Sequence, residues 1–144
     1  MNILRLAKEP TTAVAPSTTV LEAVKRMKDA NVGAVVVLDG EVLQGMFTER
    51  DVMLRIVLEG RDPRTTRVMD VMTTEVTAIH KDTSPDEAVE LMWARHIRHL
   101  PVVRDEGGVE GIVEIRNLYH ETFEDLTHQL NSLESYIAAD GIGG

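Results

Sequence analysis

Cysteine is absent from the 144-residue chain, so disulfides, thiolate zinc sites and cysteine nucleophiles are excluded together. The absence fits a reducing compartment, and the cytoplasm is the expected location. Aromatic residues are scarce: one Trp, two Tyr and two Phe are too few for a platform that stacks single-stranded bases. Acidic residues outnumber basic ones, 24 against 15, and the net charge of −9 repels polyanions and anionic membrane surfaces. No apolar run is long enough to span a bilayer, and the opening MNILRLAKEP holds too short an apolar stretch for a secretory leader. A phosphate-gripping glycine loop, a nucleophile with an adjacent base and paired carboxylates in a common motif are also missing. These absences point to a soluble, non-enzymatic globular protein that binds neither nucleic acid nor membrane.

What is present is a duplication. Shifting the sequence on itself by about 65 residues lays TTAVAPSTTVLEAVKRM (Thr11 to Met27) over VTAIHKDTSPDEAVELM (Val76 to Met92). Glu22, Ala23 and Val24 meet Glu87, Ala88 and Val89. Further on NVGAVVVLDG lies over HIRHLPVVRD, and GMFTERDV over GIVEIRNL. Each copy reads as a short strand, a helix, two strands and a second helix. In the first, Ser17 or Thr18 can cap a helix whose apolar positions are Val20, Ala23, Val24 and Met27, stopping near Asn31 and Gly33. Val35 to Leu38 suits a buried strand, Asp39-Gly40 a hairpin turn, and Val52 to Leu58 a helix ending before Gly60. In the second copy Ser84-Pro85 opens the helix, Leu100 to Val103 is the buried strand and Gly107-Gly108 the turn.

The expected fold is therefore mixed α and β, with two β-α-β-β-α repeats. Residues 1–62 form the first with its lead-in, 63–122 the linker and second, and 123–144 a long amphipathic helix and tail. A unit of about 60 residues buries too little apolar surface to be comfortably stable alone, so the two should share a core about a pseudo-twofold axis, with two equivalent clefts between them. After the second repeat Leu118, Phe123, Leu126, Leu130, Leu133 and Ile137 recur at helical spacing, and such a stripe implies a homodimer or a docked protein partner. Ala138 to Gly144 reads as a helix stop and a loose tail.

Within GMFTERD the residues after the strand read as a helix start, Thr48 capping and Asp51 completing a capping box. The histidines admit a second reading, in which His96 and His99 with His80 or His120 hold a divalent metal, but no carboxylate is placed to complete that set. The favoured expectation is no metal, with His96 in solvent and His99 lining a cleft. Trp93 reads as a core or interface anchor.

The sequence resembles paired CBS domains, the Bateman module, over about residues 9 to 120. Gly45, Thr48 and Asp51 match the family's Gly-x-x-Thr/Ser-x-x-Asp pattern, and His99 to Val103 (HLPVV) its proline-containing strand. The resemblance implies a regulatory sensor of an adenine nucleotide (AMP, ADP or ATP) or another adenosine ligand such as S-adenosylmethionine, with no cofactor required. It also implies that the Thr and Asp of one repeat face the early strands of the other. On that arrangement one cleft combines Thr48, Arg50 and Asp51 with Arg98 and His99: a hydroxyl, a ribose acceptor and cations for phosphate. The adenine would lie against Val76 and Pro101, with Thr73 close by. The second cleft would combine Gly33 and Ala34 with Glu114 and Asn117, lacking both cations and carrying a carboxylate that repels phosphate. A structural or docking module without ligand is the rival reading, in which Thr48 and Asp51 serve only as a cap.

Overall fold

In the computed structural model the chain is described over residues 2–8 and 11–139. The strands are β1 (Ala7–Lys8), β2 (Ala13–Val14), β3 (Ala34–Asp39), β4 (Val42–Thr48), β5 (His99–Val103) and β6 (Val109–Glu114). The helices are α1 (Val20–Ala30), α2 (Glu49–Asp51), α3 (Pro85–Arg95) and α4 (Ile115–Ala139). One sheet has the order β2-β3-β4 and the other β1-β6-β5. β2 runs parallel to β3, while β3 with β4 and β5 with β6 form antiparallel hairpins. Ile79 makes a single parallel bridge to Val102, the counterpart of β2 reduced to one residue.

The helix ends follow from local chemistry. The cap of α1 is Thr19, one residue later than the expected Ser17 or Thr18, because its side chain is the one that accepts from the Glu22 amide while the Thr18 amide is spent on Ala15. Ser84 caps α3 in the same way, with Pro85 at the first helical position where a missing N–H costs nothing. Both helices stop in a left-handed residue, Asn31 and His96, each with φ of 55°. The expected helix from Val52 instead begins at Glu49 and continues past Asp51 as a π-helical stretch, Val52–Val57. The second repeat's last helix and the C-terminal helix are one continuous element, α4, which runs through Ala138 and Ala139 where a stop was expected. The rest of the expected tail lies outside the described residues.

Three apolar clusters explain why the central strands read as unbroken apolar runs. Val35 and Val37 of β3 face α1 in a core with Val20, Ala23, Met27, Phe47 and Ile56. Leu100 and Val102 of β5 face α3 in a second core with Ala88, Met92, Val113 and Leu118. The alternate residues Ala34 and Val36 point the other way and meet Met46 and Ile112, so the two sheets pack face to face along a seam between the repeats. Trp93, at 79% exposed, belongs to none of these cores.

Each repeat's core is completed by the segment that leads into the other. Ile3 is buried in the second repeat's core, and β1 pairs with β6 at Ala7↔Val113 and Lys8↔Ile112. Conversely Val68 and Val71, from the apolar end of the linker, are buried in the first repeat's core, and Thr73 pairs with Met46 of β4. Gly45 makes this approach possible. A Cβ there would sit 2.6 Å from the Thr73 carbonyl oxygen and 2.9 Å from Met72 Sδ, closer than any real Cβ contact. Gly111 plays the same part in the second sheet, where a Cβ would lie 2.8 Å from that of Ala7.

Candidate ligand cleft between the repeats

β4 ends in Thr48, and the chain turns into α2 through a reciprocal capping box. The Asp51 amide donates to Thr48 Oγ1 at 3.3 Å and the Thr48 amide to Asp51 Oδ2 at 3.0 Å. Asp51 is nonetheless more than a cap. It is 6% exposed, the one buried charged residue among those described, and burial of a carboxylate demands partners. Thr73, from the linker, supplies one: its hydroxyl donates to Asp51 Oδ1 at 3.1 Å. Arg55, one helical turn on, places Nε 3.7 Å from Asp51 Oδ1 and donates through Nη1 to the carbonyls of Val71 and Met72, at 3.0 and 2.8 Å. Thr48, Asp51 and Thr73 are thus gathered into one cluster where the linker crosses the first sheet. Arg55 was missed in the sequence, although its i,i+4 spacing from Asp51 was the available signal.

The segment after Thr73 runs from β4 across to β5. Val76 packs into the seam with Ala34, Val36 and Met46. Ile79 then donates its amide to the Pro101 carbonyl at 3.0 Å, so Val76 and the buried Pro101 are brought to the same inter-repeat boundary.

Arg98 and His99 lie at the other side of β5's start, lining a cavity of about 620 Å³ together with Lys28, Gly33, Glu49, Glu114 and Arg116. This cavity draws on both expected clefts, since Gly33 and Glu114 belonged to the second and Arg98 and His99 to the first. The pseudo-twofold axis explains the mixing. Ala34 pairs with Thr48 as His99 pairs with Glu114, and the Glu49 amide donates to Gly33 as the Ile115 amide does to Arg98, at 3.0 and 2.9 Å. Equivalent strand ends therefore converge on the axis from both repeats. A Cβ on Gly33 would fall 2.6 Å from Glu49 Oε1, the movable end of an exposed side chain, and 3.1 Å from His99 Nε2, so Gly33, Glu49 and His99 meet closely at this point. Ala34, by contrast, is buried in the seam and faces no open space. Arg50 is exposed on α2, outside both the Thr48 cluster and the cavity lining.

His99 lies with Nε2 3.9 Å from Glu114 Oε1, but its pKa is lowered. Desolvation by burial and nearby Arg98 outweigh the opposing pull of Glu114 and Glu49, so the imidazole is neutral at neutral pH and the contact is not then an ion pair. The remaining histidines are dispersed: His80 faces Asp105, His120 faces Glu124, His96 is the exposed cap of α3, and His128 is exposed on α4. Among the described residues no three His, Asp or Glu side chains are grouped to hold a metal ion.

The second repeat repeats this backbone with different side chains. Glu114 stands where Thr48 stands, and Asn117 where Asp51 does. The Asn117 amide donates to the Leu6 carbonyl at 3.1 Å, holding the exchanged N-terminal segment as Arg55 holds the linker.

Two copies of the CBS domain model match the chain, over residues 5–58 and 68–124. The chain belongs to the CBS-domain family. Among relatives of this CBS pair, CBS domain-containing protein YhcV of Bacillus subtilis is 42% identical over 105 residues, covering 73% of this chain and 74% of that protein. A mitochondrial CBS domain-containing protein of Arabidopsis thaliana is 36% identical over 124 residues, and the match covers 83% of this chain but 60% of that protein's length. A solved CBS-domain protein of Burkholderia ambifaria superposes with a TM-score of 0.78 at 30% identity, covering 87% of this chain and 96% of that one. Paired CBS domains are regulatory modules that commonly bind adenosine ligands, and stand-alone CBS proteins regulate rather than catalyse. Among the described residues, no helix of this pair is long and apolar enough to cross a membrane.

Proposed function

We propose that this CBS pair is a regulatory module that binds one adenosine-type ligand per chain at the cleft headed by Asp51, without itself catalysing a reaction. The observation that carries the reading is the buried Asp51 carboxylate bonded to Thr48 and to Thr73, residues from two segments that meet only where the repeats exchange strands. A carboxylate offers about four acceptor positions. The Thr48 amide and the hydroxyls of Thr48 and Thr73 take three of them, leaving one for a ribose hydroxyl. The purine would lie against Val76 and Pro101, and the phosphate end would reach toward Arg98 and His99.

The charge of the cavity narrows the ligand. Asp51, Thr48 and Thr73 are not in the lining of this cavity, so on this reading the phosphate end extends from the Asp51 cluster into it, where Lys28, Arg98 and Arg116 are offset by Glu49 and Glu114 to leave one excess positive charge. A compact anion fits that balance better than a triphosphate, so AMP should bind more tightly than ADP, and ADP more tightly than ATP. Charge-assisted bonds contribute roughly 1.5–3 kcal/mol each, and three or four of them, less the ordering costs, correspond to micromolar binding.

The capping box supports a second reading, because it satisfies Thr48 and Asp51 without any ligand. Calorimetric titration with AMP, ADP, ATP and S-adenosylmethionine separates the two. Heat and a melting shift with AMP support the sensor, and silence with all four leaves a structural module.

A further inference from the structure

Beyond the body of the domain α4 carries a feature that the cleft does not use. Glu121, paired with Arg5, is the last residue of α4 held to the body, and every residue from Thr122 to Ile137 is exposed. Along this stretch Tyr119, Phe123, Leu126, Leu130, Leu133 and Ile137 follow one another in steps of four and three residues, one continuous apolar stripe that can fill the a and d positions of a coiled-coil seam. All six are open to solvent, from 41% at Ile137 to 69% at Phe123. A lone helix of this length is marginal in water, and its stability comes from covering such a stripe.

We propose that this stretch of α4 pairs with a second copy of the chain in an antiparallel two-stranded coiled coil. The like-for-like heptad favours an identical helix as the occupant, and charge sets its direction. With this stripe as the seam, His120, Thr122, Thr127, Gln129, Glu134 and Tyr136 flank it, while Glu121, Glu124 and Asp125 lie on the outer face. Parallel pairing sets Glu134 beside the partner's Gln129 and gives His120 no acidic neighbour across the seam. Antiparallel pairing brings His120 opposite the partner's Glu134. The core layers are then Tyr119 against the partner's Ile137, Phe123 against the partner's Leu133, and Leu126 against the partner's Leu130. The remaining flanking positions Thr122, Thr127, Gln129 and Tyr136 are uncharged and add no repulsion. The pairing is independent of the ligand reading and would stand with an empty cleft.

Because the chain lacks cysteine, engineered thiols report the arrangement cleanly. The full chain carrying Leu126→Cys is mixed with the full chain carrying Leu130→Cys under mild oxidation. The expected product is a disulfide-linked dimer containing one chain of each kind, with neither variant crosslinking alone, since identical positions are offset along the antiparallel helices beyond disulfide reach. Both residues are more than half exposed, so the body should fold in either variant, which an unchanged melting temperature verifies. Self-crosslinking of each variant alone would overturn the direction. A mixture that does not crosslink, with a monomeric mass by light scattering for the unmodified chain, would overturn the pairing.

Discussion

Asp51 and Asn117 occupy equivalent positions in two copies of one unit, and the structure uses them differently. Asp51 is a buried carboxylate that gathers hydroxyls from its own repeat and from the linker. Asn117 gives its amide to the Leu6 carbonyl and so acts as a clamp on the exchanged segment. Features that serve the backbone are kept in both copies: glycine at Gly45 and Gly111, left-handed caps at Asn31 and His96, and the paired amide bonds at Gly33 and Arg98. The side chains lining the clefts have diverged. A duplicated scaffold thus keeps what strand exchange demands, and on the proposed function the ligand chemistry falls to the Asp51 side.

The comparison can be broken most forcefully at the glycines. Gly45→Ala should cost about 2–3 kcal/mol, because the intruding methyl meets backbone oxygen and forces the linker off β4. Gly111→Ala should cost nearer 1 kcal/mol, since its neighbour is the Ala7 methyl on a two-residue strand that can shift. Equal losses in denaturant melts would show that the two crossings are equally tight. Next in size, Asp51→Ala should lower stability by about 2 kcal/mol, combining the lost cap with the tie to Thr73. Asn117→Ala removes a single bond and should lower it by about 1 kcal/mol.

His99 supplies a pH test. Its folded pKa lies below the ordinary 6.5, so the unfolded chain takes up the proton first and stability contributed by the neutral imidazole is lost as pH falls through 6.5 toward the folded value. His99→Gln should flatten that part of the stability profile, and the imidazole resonance should titrate below the unfolded value. A resonance titrating above it would mean that Glu49 and Glu114 outweigh burial. The smallest effect belongs to His96→Gly, which should raise stability by roughly 0.5–1 kcal/mol by relieving a left-handed residue that carries a side chain. Unchanged melting would imply that His96 bears no such strain.

Much of this was readable from residue order alone. The continuous apolar run Val35 to Leu38, the Ser84-Pro85 start and the Thr48 to Asp51 box are local patterns, and local chemistry fixes them, whereas which of the valines face α1 and which the seam is set by packing. Strand exchange was not legible, because Ile3 in one core and Val68 in the other depend on contacts far apart in sequence. For the same reason only one of the three cations at the cavity was found, and the expected Arg50 lies outside it. Arg98 is flagged by its neighbours in HLPVV, while Lys28 and Arg116 sit on helices whose facing depends on the packing of both repeats. The exposed Trp93 shows the converse limit, since a large apolar residue carries no label for which surface it serves.

The most direct measurement is calorimetric titration of AMP into the unmodified chain, Asp51→Ala and Asn117→Ala. One site per chain, abolished by the first substitution and preserved by the second, is the predicted result. Two equal sites, or the same loss of affinity from both substitutions, would contradict the division of labour between the repeats.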